Sequence, residues 1–244
     1  MKMRKIIAIL VVATFFLLPV VLAISNNSKL QENKGPKEPL EKIEFIHWKK
    51  DFEKLEIAKA RTPSCYKFLT PTKVKWKNLP INYVINPTNP QALPESFVIS
   101  AIVNAAETWD ANTSKELMND VYTIDYTATY GVQDYVNAIT FGNYPTEGVI
   151  AVTTVWYNPA TKEIVEFDMM FDTDWIWGDA TVDNTKMDLQ NIATHEFGHA
   201  IGLDDVYNSA CSEVTMYGYS DYGETKKRTL EQPDIKGLQT LYGK

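Results

Sequence analysis

The amino-acid sequence predicts an α+β fold, in which strands and helices form separate runs along the chain. Segments with alternating apolar and polar residues, as in half-buried strands, fill much of the region before residue 172. One long helical pattern interrupts them, and two more helical patterns follow. Strands that gather in this way, rather than alternate one by one with helices, are typical of the α+β class.

The first predicted strand covers residues 81–86, where the alternation stops before a proline. Pro94 and Glu95 then open a helix. Its apolar face follows the 3.6-residue period and consists of Val98, Ala101, Ile102, Ala105 and Trp109. Two further alternating segments, 121–127 and 136–141, predict the next strands.

A β-hairpin is predicted from the alternating segments 149–157 and 163–171, which flank the turn sequence Asn-Pro-Ala-Thr. The hairpin is the last pair of strands before the chain becomes helical.

Two helices are predicted after the hairpin. The first begins with a capping box, Thr185-x-x-Asp188, and ends at Gly202. The second ends at Gly243. Its apolar face consists of Ile235, Leu238, Leu241 and Tyr242.

The charge excludes some classes of partner. The formal net charge is −7, but from residue 62 onward 12 Lys and Arg stand against 24 Asp and Glu, a net charge of −12. A domain this acidic repels nucleic acid and anionic lipid. We therefore expect no nucleic-acid partner.

Residues 1–23 are predicted to be a secretory signal peptide. Three basic residues among the first five precede an apolar run, 6–18, and Pro19 interrupts it. Val-Leu-Ala at 21–23 fits a cleavage site with a small residue. The alternative is a permanent membrane anchor, because residues 6–24 could nearly span a bilayer.

Residues 24–64 are predicted to be a linker or a short pro-segment ahead of a domain that spans 65–244. Segments 25–28 and 35–39 are polar and rich in residues that break helices. Farther on, apolar residues recur at roughly helical spacing among Lys and Glu, namely Ile43, Ile46, Leu55 and Ala58. This pattern fits either a small helix or a solvated tether.

Two histidines four residues apart can hold one metal ion. His195 and His199 lie on the same face of the predicted helix, and neutral imidazoles suit zinc. Glu196 projects beside them, where a carboxylate can take a proton from metal-bound water. The alternative is a pair of surface histidines on an ordinary amphipathic helix.

A catalytic zinc needs a third protein ligand and an open position for water. The chain has three histidines, and the third, His47, lies far upstream in the segment predicted to be a linker. Gly202 allows a sharp turn after the helix, and two aspartates follow it. We expect Asp205 to complete a His₂Asp site, with Asp204 and Glu213 as weaker candidates.

The run from His195 to Asp205 reads H-E-x-x-H-x-x-G-x-x-D and resembles the metzincin signature, with Asp205 where most metzincins carry histidine. An aspartate here is known in small secreted bacterial peptidases of the snapalysin type. The resemblance implies a methionine turn below the metal, and Val-Thr-Met-Tyr-Gly-Tyr at 214–219 is similar to it. Met216 would then be the floor of the site. The alternative is a methionine that fills an ordinary gap in the core.

The end of the chain resembles the matrixin branch of the metzincins. Residues 230–243 are similar to the matrixin closing helix, although Pro233 stands where the first of two adjacent acids is usual. Asp234 matches the acid that supports the methionine turn. Lys-Trp at 75–76 and the segment 167–172 are also similar to this branch, so the resemblance covers about residues 66–244.

The resemblance implies a metzincin-type catalytic domain of the α+β class. A twisted mixed five-stranded sheet would pack on two long helices, and a small C-terminal subdomain would hold the methionine turn and the closing helix. We interpret Tyr217 and Tyr219 as packing residues of that subdomain.

The activity implied is that of a secreted zinc endopeptidase. Glu196 would accept a proton from zinc-bound water and deliver it to the leaving amine. An aspartate ligand should make the zinc a weaker Lewis acid than a histidine ligand would. The substrate would be a protein or peptide in extended form, paired with the strand at the sheet edge, which by order is segment 149–157. We expect a monomer with no membrane contact beyond the signal segment.

The two cysteines, Cys65 and Cys211, are expected to form a disulfide, because an exported protein matures where thiols oxidise and their number is even. Pro-Ser-Cys at 63–65 also faintly resembles the matrixin pro-segment cysteine that caps the zinc, but the flanking Arg and Gly of that motif are missing.

A calcium site is a further implication of the resemblance. Its candidate ligands are Asp172, Asp174, Asp179 and Asp183. The alternative is that these are solvated loop carboxylates.

Two other classes of protein compete with the enzyme. One is a non-catalytic surface or adhesion protein that retains the fold, and Glu196 beside both histidines argues against it, since a structural zinc has no use for this acid. The other is a zinc-sequestering module, which would need a closed site of four ligands where the sequence offers three good ones.

Overall fold

The computed structural model describes residues 39–52 and 64–244. The predicted signal peptide, 1–23, lies outside the described residues, as does most of the segment 24–64. The described residues belong to a compact unit that spans Glu38–Lys244. None of their helices is long and apolar enough to cross a membrane.

Within these residues the chain forms eleven strands and three α-helices. The strands are β1 (Glu41–Lys49), β2 (Lys67–Phe68), β3 (Val84–Ile85), β4 (Thr123–Ile124), β5 (Ala138–Gly142), β6 (Val149–Asn158), β7 (Glu163–Asp172), β8 (Trp177–Gly178), β9 (Met187–Asp188), β10 (Leu203–Asp204) and β11 (Tyr219–Ser220). The helices are α1 (Glu95–Asp110), α2 (Leu189–Ala200) and α3 (Gln232–Tyr242). Short 3-10 helices cover Lys50–Phe52, Ser209–Cys211 and Lys226–Arg228.

Seven of the strands form one mixed sheet in the order β11-β1-β6-β7-β5-β3-β4. The pairs β7–β5, β5–β3 and β3–β4 are parallel, whereas β6 is antiparallel to both β7 and β1. The α+β fold is confirmed, and the five expected strands are present as β3 to β7. The sheet is wider than expected, because β1 and β11 extend it beyond β6.

The sheet and helices α1 and α2 share one hydrophobic core. The predicted apolar face of α1 is buried, and its larger aliphatic side chains, Val98 and Ile102, contribute about 1.5–3 kcal/mol each on burial. The indole N–H of Trp109 donates to the carbonyl of Thr194 at 2.8 Å. This bond attaches α1 to the helix that carries the histidines.

Two predicted strands are shorter than their alternation suggests. Of segment 81–86 only Val84–Ile85 forms a strand, which is β3. Of segment 121–127 only Thr123–Ile124 forms a strand, which is β4. β4 is the outer strand of the sheet and has one neighbour. Val121, before its start, is 75% exposed, because no further strand covers it.

The prediction of a capping box that begins α2 at Thr185 is wrong. Asp188 is itself the N-cap, and its carboxylate accepts the backbone N–H of Asn191 at 2.8 Å. The hydroxyl of Thr185 donates instead to Asp183 at 2.7 Å. The helix therefore begins at Leu189, three residues after the position that the capping box implied.

The helical interpretation of the segment after residue 40 is wrong for residues 41–49, which form strand β1. Phe45 and His47 are buried and Ile46 between them is not, which is the period of a strand. Without β1, β6 would be the edge of the five-stranded sheet and would leave backbone N–H and C=O groups unpaired. These groups pair with β1. The stabilisation from this non-local pairing outweighs the weak helical preference that the spacing of the apolar residues indicates.

Candidate metal centre

The two histidines of α2 face one point. Both are fully buried. Nδ1 of His195 lies 2.7 Å from the carbonyl oxygen of Thr215, and Nδ1 of His199 lies 2.9 Å from that of Leu203. A carbonyl can only accept, so each Nδ1 carries the proton and each Nε2 presents a lone pair. The two Nε2 atoms are 3.1 Å apart.

Asp205 reaches the same point after a sharp turn. Gly202 adopts φ +110, and a Cβ there would come within 2.7 Å of the carbonyl oxygen of Val74. The turn leads into β10, and Oδ1 of Asp205 then lies 3.2 Å from Nε2 of His195 and 3.6 Å from Nε2 of His199.

The other two candidate ligands point elsewhere. Asp204 forms an ion pair with Lys67 and accepts the backbone N–H of Asp205. Glu213 is exposed and pairs with Lys226 at 3.0 Å. Geometry therefore favours Asp205.

The three residues fit a zinc ion. Oδ1 of Asp205 is buried and has no hydrogen-bond partner, and the two facing nitrogens have no proton to share. In a tetrahedral zinc site with ligand atoms at about 2.0–2.1 Å from the metal, any two ligand atoms lie about 3.3 Å apart. This is close to the distances between the three ligand atoms found here. Two neutral imidazoles and a carboxylate are donors that zinc prefers.

The electrostatics keep these groups in their ligand forms. Burial lowers the pKa of His195 to about 3, so its ring is neutral at physiological pH. The hydroxyl of Tyr207 donates to Oδ2 of Asp205 at 2.8 Å and orients the carboxylate.

Glu196 is buried beside the three candidate ligands. Its Oε2 accepts the hydroxyl of Thr153, on β6, at 2.6 Å. Its Oε1 lies 3.1 Å from Nδ1 of His47, on β1. Burial raises the pKa of Glu196 to about 8, which suits a group that both takes and returns a proton near neutral pH.

His47 is the residue that sequence reasoning missed. The sequence predicts a linker around His47, yet this residue is fully buried with its ring centroid 3.8 Å from that of His195. Its Nε2 lies 2.9 Å from Nζ of Lys227, which is also fully buried. The alternation of buried residues in β1 could have revealed the strand, but nothing local predicts its partners.

The segment predicted to be a methionine turn packs against the helix that carries the histidines. Met216 is fully buried, and its sulfur would be 2.1 Å from a Cβ placed on Gly198. Asp234, from α3, accepts the backbone N–H of Thr215 at 2.9 Å and that of Met216 at 3.2 Å. The closing helix thus holds the turn in place.

Cys65 and Cys211 form a disulfide with a Cα–Cα distance of 5.3 Å. It joins the chain before β2 to the segment before the methionine turn. With its sulfur in this bond, Cys65 has no thiol to offer a metal. Tyr217 and Tyr219 are buried in a small cluster around Cys211 with Val206 and Val214.

The four acids proposed for calcium do not converge. Asp172 accepts the backbone N–H groups of Asp174 and Tyr144, and Asp174 accepts the side-chain amide of Asn143. Asp179 pairs with Arg228. Among residues 39–52 and 64–244 these carboxylates form no group that could hold a metal. Calcium binding stays a prediction.

Comparisons with known proteins agree with this geometry. The sequence model of the matrixin family matches residues 75–243. The chain is 31% identical over 178 residues to stromelysin-1 of Mus musculus, covering 71% of this chain and 34% of that protein. It is 29% identical over 177 residues to neutrophil collagenase of Homo sapiens (72% and 35%) and 28% identical over 194 residues to the hatching enzyme of Paracentrotus lividus (78% and 30%).

The match spans about a third of the length of these relatives. It includes the helix with both histidines, the methionine turn and the closing helix, and so confirms the resemblance read from the motifs. The chain therefore belongs to the matrixin family of peptidases.

Proposed function

We propose that this chain is a zinc-dependent endopeptidase that hydrolyses peptide bonds of proteins. His195, His199 and Asp205 would hold the zinc, and Glu196 would be the general base. The observation that carries the proposal is the convergence of three buried ligand atoms, one of them the unpartnered Oδ1 of Asp205, beside a buried glutamate.

Bound zinc would polarise the scissile carbonyl and lower the pKa of a water molecule. Glu196 takes the proton of the attacking water and delivers it to the leaving amine. The hydroxyl of Thr153 fixes one oxygen of this carboxylate, so the other is the oxygen that handles the proton. A pKa raised by burial to about 8 allows Glu196 to hold the proton between the two transfers.

Aspartate as the third ligand distinguishes this site from a three-histidine site. Its negative charge offsets one charge of the metal, and Tyr207 keeps it in one orientation. This agrees with the snapalysin-like pattern of the sequence. Met216 would be the apolar floor rather than a ligand.

The substrate would be an extended protein or peptide segment. Without β1, β6 would be the edge strand of the sheet, and its antiparallel pairing with β1 supports a backbone that can pair with an extended segment. The acidic surface argues against nucleic acid as a partner. We further propose export through residues 1–23, a monomeric state and a domain that includes strand β1 as well as residues 65–244. A disulfide fits an oxidising compartment.

Casein digestion tests the proposal. Purified protein is assayed with and without chelator, beside Glu196→Ala and the control Glu147→Ala, which changes an exposed carboxylate. We expect chelator to abolish cleavage. Glu196→Ala should lower the rate about 10²–10⁴-fold and still bind one zinc per chain. Glu147→Ala should match wild type.

The following result would contradict the endopeptidase function. Wild type and His47→Leu, in which Glu196 loses its contact with His47, would both hold zinc and cleave no protein or peptide. That result would favour the non-catalytic surface protein. A fourth protein ligand, seen by absorption spectroscopy of the cobalt-substituted protein, would favour the sequestering module instead.

A further inference from the structure

The disulfide and the strand pair β2–β10 form a closed ring that contains Asp205. Strand β2 follows Cys65 along the chain, and it pairs with β10 so that Lys67 lies opposite Asp204. Asp205 is the next residue, and the chain then continues to Cys211. The bond between the two cysteines returns the path to the start of β2. The proposed third zinc ligand is therefore part of a loop that is closed by a covalent bond.

The contacts between β2 and β10 are few. Each strand has two residues, and the two form a sheet of their own. The backbone N–H of Leu69 donates to the carbonyl of Gly202 at 2.9 Å. Lys67 pairs with Asp204, but the lysine side chain is 61% exposed, and exposed ion pairs stabilise little. A two-stranded sheet of this length is marginal by itself, so β10 needs a further constraint to keep its position.

The residue on the other side of Asp205 is held by a different part of the fold. The backbone N–H of Val206 donates to the carbonyl of Met216 at 2.9 Å, and the carbonyl of Val206 accepts the N–H of Gly218 at 3.1 Å. Val206 also lies in one apolar cluster with Cys211, which is 2% exposed. The disulfide thus joins β2, which holds the residue before Asp205, to the cluster that holds the residue after it.

Asp205 depends on such contacts more than the two histidines do. His195 and His199 project from one helix, whose backbone fixes their spacing. Asp205 follows a turn outside that helix, and its Oδ1 is buried without a hydrogen-bond partner. A ligand that is held in place before the metal arrives binds it more tightly than one that must first be ordered. The zinc affinity should therefore depend on what holds β10.

We propose that the Cys65–Cys211 disulfide is a positioning element for the third zinc ligand, because it keeps β2 on β10 and so keeps Asp205 at the two histidine nitrogens. The proposal rests on the zinc site of the proposed function. The disulfide contacts neither metal nor substrate in this role. A disulfide that only stabilised the fold would raise the free energy of unfolding and leave the zinc affinity of the folded chain unchanged.

A double-mutant cycle separates these two roles. Zinc affinity is measured by competition with a chromophoric chelator, in the absence of denaturant, for the full chain with and without Cys65→Ala/Cys211→Ala. The same pair is measured in an Asp205→Ala background, where His195 and His199 retain a weaker affinity. We expect loss of the disulfide to weaken binding about 10–100-fold with Asp205 present and less than about threefold without it. An equal loss in both backgrounds would overturn the proposal.

Val98→Ala is the control for stability. It removes buried methyl groups from α1 and lowers the free energy of unfolding without a change in the ring. We expect its zinc affinity to stay within about threefold of the wild type. A loss as large as that of the disulfide variant would show that any destabilised chain binds zinc weakly, and the positioning role would be wrong.

A second variant keeps the disulfide and loosens the ring. Two glycines are inserted between Cys65 and Tyr66, which leaves the covalent bond and its stabilisation of the fold in place. We expect faster hydrogen exchange at the amide of Leu69, which donates across the β2–β10 pair, and an unchanged rate at the amide of Asn119 beside β3. Zinc binding should weaken at least threefold. A zinc affinity equal to that of the wild type would contradict the proposal, even if Cys65→Ala/Cys211→Ala does not fold.

The proposed function and the positioning role fail in different ways. If the cycle shows a loss that depends on Asp205 but the zinc-loaded wild type cleaves no protein or peptide, the endopeptidase function is wrong and the positioning role stands. If the wild type cleaves casein and loss of the disulfide weakens zinc binding equally with and without Asp205, the function stands and the positioning role is wrong.

Discussion

Asp234 accepts a hydrogen bond from the backbone N–H of Thr215 at 2.9 Å, and the carbonyl of that same Thr215 accepts Nδ1–H of His195 at 2.7 Å. A carboxylate on the closing helix is thereby linked through one residue to a proposed zinc ligand. Asp234 also accepts the backbone N–H groups of Met216 and Glu231. One buried side chain fixes both the methionine turn and the orientation of the imidazole.

Asp234→Ala should damage both stability and metal binding. It leaves three backbone N–H groups without this acceptor, and each unsatisfied buried donor costs about 1–3 kcal/mol. We expect the free energy of unfolding, measured with urea in chelator, to fall by about 3–5 kcal/mol. Zinc affinity, measured by competition with a chromophoric chelator, should fall about 10–100-fold. Glu147→Ala should change neither quantity, and an unaltered zinc affinity in Asp234→Ala would argue against the link.

Gly198→Ala should destabilise the protein, although alanine normally favours a helix. The added Cβ would lie 2.1 Å from the sulfur of Met216 and 2.9 Å from Cζ2 of Trp109, whose indole is held by Thr194. Such overpacking costs about 1–3 kcal/mol. Gly237→Ala, in α3, is the matched control, because its closest new contact is 3.0 Å, to a terminal methyl of Leu203. Urea unfolding should show a loss in the first variant and a change below about 1 kcal/mol in the second.

Asp205→Ala should abolish tight zinc binding, whereas Asp204→Ala should retain it. The two residues are adjacent, but only Asp205 points at the histidine nitrogens, and Asp204 pairs with Lys67. Metal content after dialysis against a weak chelator checks this, with one zinc per chain expected for Asp204→Ala. The opposite pattern would reassign the third ligand.

Asp205→His should move the pH–rate profile to lower pH. Aspartate adds a negative charge that histidine lacks, so the metal in wild type should be the weaker Lewis acid and the water should lose its proton at higher pH. The profile of kcat/KM against pH, compared at full zinc occupancy, measures the shift. An identical profile in the variant would contradict this role of the charge.

The contribution of Asp168 to stability should fall as pH rises from about 4 to 7. Burial raises the pKa of Asp168 to about 7, against the opposing backbone hydrogen bonds from Ala138 and Gly131. In this interval the folded chain keeps a proton that the unfolded chain has lost, so the free energy of unfolding decreases with pH. We expect Asp168 to account for a fall of about 1–2 kcal/mol.

Asp110 acts in the same direction, because burial raises its pKa to about 7 as well. We therefore expect the free energy of unfolding at pH 8 minus that at pH 5, measured with urea in chelator, to be more positive in Asp168→Asn than in wild type, because the buried neutral His195 acts in the opposite direction in both proteins. This quantity should be more positive still in the double variant Asp168→Asn/Asp110→Asn. Identical pH dependence in all three proteins would be inconsistent with protonated carboxyl groups in the fold.

The sequence by itself predicted the elements whose causes are local. The apolar face of α1, the β6–β7 hairpin and the pair His195 and His199 depend on spacings within one element, and all are found in the structure. The matrixin resemblance also rests on contiguous motifs. The ends of β3, β4 and α2 differ from the prediction. β4 lies at the sheet edge, β3 is only as long as its pairing with β4 and β5, and the contacts of Asp188 decide where α2 begins.

The tertiary structure alone decided what surrounds the candidate metal centre. His47 and Glu196 are 149 residues apart, and His47 and Lys227 are 180 apart, so no local pattern links them. Strand β1 exists because β6 would otherwise leave backbone groups unpaired at the sheet edge, and pairing with those groups outweighs the helical spacing of Ile43 and Ile46. Likewise, Asp205 and Asp204 are equivalent in sequence, and the turn at Gly202 together with the pairing of β10 on β2 directs Asp205 to the histidines.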